Sequence, residues 1–150
     1  MKWFDEKMLK KINNGFQEFR DIEFQVLEEL GGCPPTQGSW KSFNMLHEIE
    51  TCYSVGAYVA SFILTLAAIE ASFKANPQEK KERFIVLIEK SGYGIELDEL
   101  RQIRNDIIHD QDIGKIASCF DESMKLDMKE NCQKAFRLMH RIYYQPTKVV

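Results

Sequence analysis

The sequence predicts an all-α protein, an antiparallel helical bundle of about five helices forming a single domain over residues 1–150. Three observations carry that reading. Apolar residues recur at spacings of three and four, as at Met8, Ile12, Phe16, Phe19, Val26 and Leu30, which is a helix stripe and not a strand alternation. The four prolines and eight glycines fall between periodic stretches, where they act as punctuation. No credible strand pairing, internal repeat or low-complexity tract appears. With 44% hydrophobic and 29% charged residues in 150, the chain has the balance of a globular protein with one sizeable core.

The first helix is expected over about Lys2 to Leu30, Glu23 being the one polar member of its stripe, and GGCPPTQGS then breaks the chain. Trp3, Phe4 and the Phe16–Phe19 pair are expected in the core. A long second helix is expected from about Ser42 to Lys74, with no charge between Cys52 and Ile69. That length approaches a membrane span. However, Ser54, Gly56, Ser61, Thr65 and two tyrosines interrupt it, Glu70 follows at once, and no basic cluster flanks it. A central buried helix is the better reading, with Gly56, Ala57, Ala60 and Ser61 admitting a close neighbour. Asn76–Pro77 ends it. The third helix, about Gln78 to Lys90, opens on the charged EKKER and closes at SGYG. The fourth covers about Leu97 to Asp110, with Asp98 and Glu99 complementing the dipole of its first turn. The last runs from about Asp121 to Tyr144, before Pro146.

A net charge of −3 gives no global footprint for nucleic acid, so any RNA contact must come from a local patch. The best one is on the last helix, where Lys134, Arg137 and Arg141 stand at i, i+3 and i+7, with Lys148 beyond. Cations near a helix C-terminus are also ordinary. Cys33, Cys52, Cys119 and Cys132 form no C-x-x-C pair, and no apolar segment follows the first lysines. A cytoplasmic protein with reduced thiols is expected, with no metal and no cofactor. His47–Glu48 begins like a zinc-protease helix, but Thr51 stands where the second histidine would be. Gly92 and Gly94 lack the spacing and the Lys-Ser/Thr of a phosphate loop, and Lys80 to Arg83 reads as a solvated face.

The chemistry concentrates on the fourth helix. On a wheel of 100° per residue, Leu100, Ile103 and Ile107 cluster towards the core. Arg101, Asn105 and His109 form a polar stripe at i, i+4 and i+8, and Arg104 lies between that stripe and the apolar face. An imidazole can exchange protons with a 2′-OH or a leaving 5′-oxygen, and a guanidinium can stabilise charge developing at phosphorus. One helix supplies a single imidazole, so a second copy across a two-fold axis would supply the complementary acid or base. The same arginines can instead make surface ion pairs with Asp98 or Asp106, and His109 can favour the helix C-terminus.

The string L-R-Q-I-R-N-D-I-I-H, ending a helix in a small all-α chain, resembles the HEPN superfamily. Its signature is an Arg, four to six residues, then a His, with a polar residue after the Arg; Arg104, Asn105 and His109 match it. The order of elements over Ser42 to Lys115 is also similar. The resemblance implies a bundle that dimerises so that two motifs face each other across a cleft. Many members are metal-independent endoribonucleases of toxin or antiviral-defence type, some paired with a nucleotidyltransferase-like antitoxin. By that implication Arg104 stabilises the phosphate, Asn105 assists and His109 is the acid or base. Apart from the resemblance, Arg101 and the stripe Lys134, Arg137 and Arg141 are the residues expected to guide an RNA backbone. Gln111 stands where antitoxin-paired members often carry Tyr. Other members only bind or scaffold. An enzyme requires these side chains to open onto solvent, whereas a scaffold would bury them and bond them to one another.

Overall fold

The computed structural model describes residues 5–31, 40–109 and 122–144, and every element among them is helical. Trp3, Phe4, Cys33, Gln111, Cys119 and Lys148 lie outside these residues. The helices are α1 (Glu6–Glu29), α2 (Trp40–Ser54), α3 (Tyr58–Phe73), α4 (Phe84–Ser91), α5 (Gly94–His109) and α6 (Glu122–Tyr144), with a 3-10 turn over Pro77–Glu79.

α1 starts where Asp5 caps it, its carboxylate accepting from Lys7 N at 2.9 Å. Phe19 and Val26 of the expected stripe reach the core, joined by Ile22, which lay outside that stripe; Met8 at its start is half exposed, and Phe16, expected in the core, is half-buried. The expected helix from Ser42 to Lys74 is two helices. The chain leaves helical geometry at Val55 to Ala57, with Gly56 at φ +83°, a conformation open to glycine at no steric cost. α2 and α3 fold back as a hairpin, and Ser61 Oγ donates to Ile49 O across the seam at 2.9 Å. This explains why so apolar a run contains hydroxyls. Thr65 Oγ1 donates to Ser61 O at 2.7 Å and Ser54 Oγ to Glu50 O at 2.7 Å, so each is satisfied inside its own hairpin. No described helix is long and apolar enough to cross a membrane.

Of the small residues expected to admit a neighbour, Gly56, Ala57 and Ala60 are exposed, and only Ser61 is buried. The close approach occurs elsewhere, at Gly15 of α1. A β-carbon there would lie 2.6 Å from Ser54 Cα and 3.2 Å from Ser54 O, both backbone atoms of α2. Gly15→Ala is therefore expected to force α1 and α2 apart. The net loss in a denaturant titration should be about 2 kcal/mol, even though alanine is the better helix former by about 1 kcal/mol.

The charged stretch before FIVLI does not open a helix, as Gln78 to Lys90 was expected to. Asn76 Oδ1 accepts from Gln78 N to cap the 3-10 turn, and α4 begins only at Phe84. Between the turn and α4 lie the four charged residues Lys80 to Arg83, which bring no apolar side chain to the core, and burial begins at Phe84. Gly92 at φ +80° ends α4 as its glycine suggests. α3 forms the centre of the core through Phe62, Leu66 and Ile69, all fully buried. Around it sit Ile49 and Tyr53 of α2, Leu97 and Leu100 of α5, and Phe136, Met139 and Ile142 of α6. α1 and α6 run parallel, as the pairings Glu18–Lys129, Gln25–Arg137 and Glu29–Arg141 show.

Candidate functional site

α5 is held on the bundle by the apolar face expected of it: Leu97 and Leu100 are buried, and Ile103 and Ile107 pack against the core. This places Arg104 at the border with α3 and α4. Its side chain is 18% exposed, Nη1 lies 3.5 Å from Glu70 Oε2, and the guanidinium carbon sits 5.3 Å from the centre of the Phe84 ring. Nη2 donates to Asn105 Oδ1 at 3.2 Å, while Nε is buried with no hydrogen-bond partner. The arginine is thus positioned from three sides, by a carboxylate of α3, a ring of α4 and the amide next to it.

Glu70 also accepts from Lys74 Nζ at 2.8 Å, so one carboxylate gathers two cations. Sequence reasoning missed both residues. Their signal was the end of the uncharged run, where Glu70 and Lys74 stand at i and i+4, but nothing in the sequence ties that turn to Arg104. Because the carboxylate is about a quarter exposed, Glu70→Gln is expected to lower stability by only about 0.5 kcal/mol. Its larger expected effect is on the placement of Arg104.

Asn105 is half-buried and lies one turn before His109, which is exposed at the end of α5. Arg104 and Asn105 are bonded to each other, and the imidazole remains open to solvent. Arg101 is engaged differently. Its Nε and Nη2 both reach Asp98 Oδ1 at 2.9 Å, and Asp98 Oδ2 accepts from Gln102. The surface ion pair anticipated for one of these arginines is therefore made by Arg101 with Asp98, while Arg104 pairs across to another helix.

The basic stripe of α6 lies away from this cluster. Arg137 donates to Gln25 Oε1 at 3.3 Å and Arg141 pairs with Glu29 at 3.4 Å. With Lys134 they form one wall of a groove of 320 Å³ whose other wall carries Glu96 and Glu99 of α5. Carboxylates thus flank the cations on both sides, which weakens their field for a phosphate backbone. Nearby Tyr93 is raised above the usual phenol range by burial, against an opposing pull from Arg141.

The remaining candidates are accounted for by packing and exposure. His47 and Glu48 are exposed on α2. Cys132 is a buried thiol whose Sγ donates to Tyr58 O, and burial pushes it up to about 12. Cys52 is a half-buried free thiol. Comparisons of the chain with protein-family models, curated proteins and solved structures each found no significant match.

Proposed function

We propose that this chain is a metal-independent endoribonuclease of HEPN type, working as a homodimer with Arg104, Asn105 and His109 of both copies at its centre. One observation supports this above all: Arg104 is contacted by Glu70, Phe84 and Asn105, while His109, one turn beyond Asn105, stays exposed. The three residues divide on solvent access: Arg104 and Asn105 are bonded to each other and largely covered, whereas the imidazole of His109 is open.

In the reaction, an imidazole removes the proton of a ribose 2′-OH, and that oxygen attacks phosphorus. The bond to the 5′-oxygen breaks, the second copy's imidazole protonates the leaving oxygen, and a 2′,3′-cyclic phosphate remains. Arg104 stabilises the charge on the phosphoryl oxygens, and Asn105 orients Arg104 through its amide oxygen. The reading carries with it a role as toxin or defence effector in the cytoplasm, with an antitoxin of nucleotidyltransferase type as partner.

A second reading rests on the same arginine. By pairing with Glu70 and stacking on Phe84 it ties α5 to α3 and α4, as a purely structural arginine would, and the chain is then a non-catalytic dimerisation module. The deciding experiment is RNA cleavage by purified protein in EDTA beside a folded His109→Ala variant. Cleavage by the parent alone supports the enzyme. Equal cleavage by both, or by neither over a broad RNA set, removes it.

A further inference from the structure

The end of the molecule where α1 and α6 begin carries a groove of about 620 Å³, independent of the reaction proposed for α5. From the Glu18–Lys129 pair towards their N-termini, the two parallel helices form its walls. α1 contributes Met8, Lys11, Ile12 and Gly15, and α6 contributes Glu122, Lys125, Leu126 and Lys129. Both sets follow i, i+3, i+4, i+7, the spacing of one helix face. The turn between α2 and α3 closes the end with Val55 and Gly56.

Three large apolar side chains from three separate segments converge here, and among the described residues they stay exposed: Met8 is 49% exposed, Val55 59% and Leu126 60%. Scattered exposed residues need no explanation, but a groove walled by them is a docking surface. Its base is rigid. Tyr53 OH donates to Glu18 Oε2 at 2.6 Å, Gln133 Nε2 donates to Tyr53 OH at 3.0 Å, and Lys129 Nζ lies 3.1 Å from Glu18 Oε2. Burial and the adjacent Glu18 carboxylate raise the Tyr53 phenol, which therefore stays a donor.

The charge of the rim selects the occupant. Glu18 is satisfied internally, and Glu122 stands 3.9 Å from Lys125, an exposed and weak pair. Lys11 lines the α1 wall, and Lys7 lies one turn before it on the same helix, both exposed. Both walls also begin at this end, but Asp5 and Glu6 on α1 and Glu122 on α6 offset their N-terminal dipoles, so the selecting charges are the lysines. We propose that the groove receives an acidic amphipathic helix of a partner protein, its apolar stripe between Met8 and Leu126 and its carboxylates on Lys11 and Lys125.

The test uses the full chain and two fluorescent helical peptides of about 18 residues. They share a leucine stripe but carry either glutamate or lysine on its flanks, and binding is read by anisotropy. The glutamate peptide is expected to bind at least about tenfold tighter and to weaken with salt. Leu126→Asp should lose this binding with the melting temperature unchanged, because the side chain is exposed. Lys11→Glu with Lys125→Glu should reverse the preference between the peptides. Absence of binding, equal binding of both peptides, or indifference to Leu126→Asp overturns the proposal. Self-association of the protein that Leu126→Asp abolishes overturns it too, by assigning the groove to a second copy.

Discussion

Acidifying the protein from about pH 7 to about pH 4.5 is expected to cost the fold about 2 kcal/mol through one side chain, His140. It is 1% exposed in the seam between α1 and α6, and neither ring nitrogen has a hydrogen-bond partner. The ring packs edge-on against Phe19, with centroids 5.7 Å apart, and stacks on Tyr144 at 6.3 Å. Burial pulls the imidazole down to about 4 from its ordinary 6.5, against a smaller opposing effect of Glu23, whose carboxylate accepts from Tyr144 OH at 2.7 Å. The sign follows directly. Below 6.5 the unfolded chain takes up a proton that the folded chain refuses until about 4, so stability falls with pH across that window and is flat above it. Denaturant titrations at several pH values measure the slope, and His140→Phe isolates it, because the carboxylates titrate alike in both proteins. The variant should lose most of the acid slope. Its stability at neutral pH should not fall much, since it removes two buried unpaired nitrogens from an already aromatic site. Identical pH dependence in the two proteins would show that His140 is solvated or partnered in solution.

His140 was invisible in the sequence, and the reason is instructive. It lies within the chain's best basic stripe, between Arg137 and Arg141, and charged neighbours suggest a solvated face. On a helix, however, it stands four residues after Phe136 and one after Met139, both fully buried, so the wheel turns it inwards. The same limitation governs the rest. The stripe of α1, the apolar face of α5 and the glycine stop of α4 were legible because each depends on residues close in sequence. The break at Gly56 was not, because an uncharged run with one glycine serves equally as a long buried helix or as two helices of a hairpin. Tertiary packing decides between them. The same holds for Gly15, whose need for a missing β-carbon is imposed by Ser54 of α2, far away in the chain. At the candidate site, Arg104, Asn105 and His109 were proposed from a polar strip on one helix together with the resemblance it carries, but Glu70 and Phe84 could not be, since they reach Arg104 only through the fold.

That fold-dependent shell makes the strongest expectation for activity a contrast between two residues. On the proposed endoribonuclease reading, His109→Ala should lower the single-turnover cleavage rate in EDTA by about 10²–10⁴-fold, the usual contribution of a positioned acid or base. Thermal stability should hardly change, because the side chain is exposed at a helix end. Arg104→Ala should lower the rate by about 10²–10³-fold, the scale for one donor aimed at developing charge. It should also lower the melting temperature, because it leaves Glu70 without its cross-helix cation and uncovers Phe84. Stability and rate therefore separate at His109 and move together at Arg104. A structural arginine with an idle histidine gives another pattern: Arg104→Ala lowers stability alone, and His109→Ala changes neither quantity. Arg104→Lys sharpens the distinction. A lysine retains the charge near Glu70 but cannot fork onto two phosphoryl oxygens or stack on Phe84 as a planar guanidinium does. A lysine variant that restores stability while cleavage stays low would place the planar fork of Arg104 in the reaction itself.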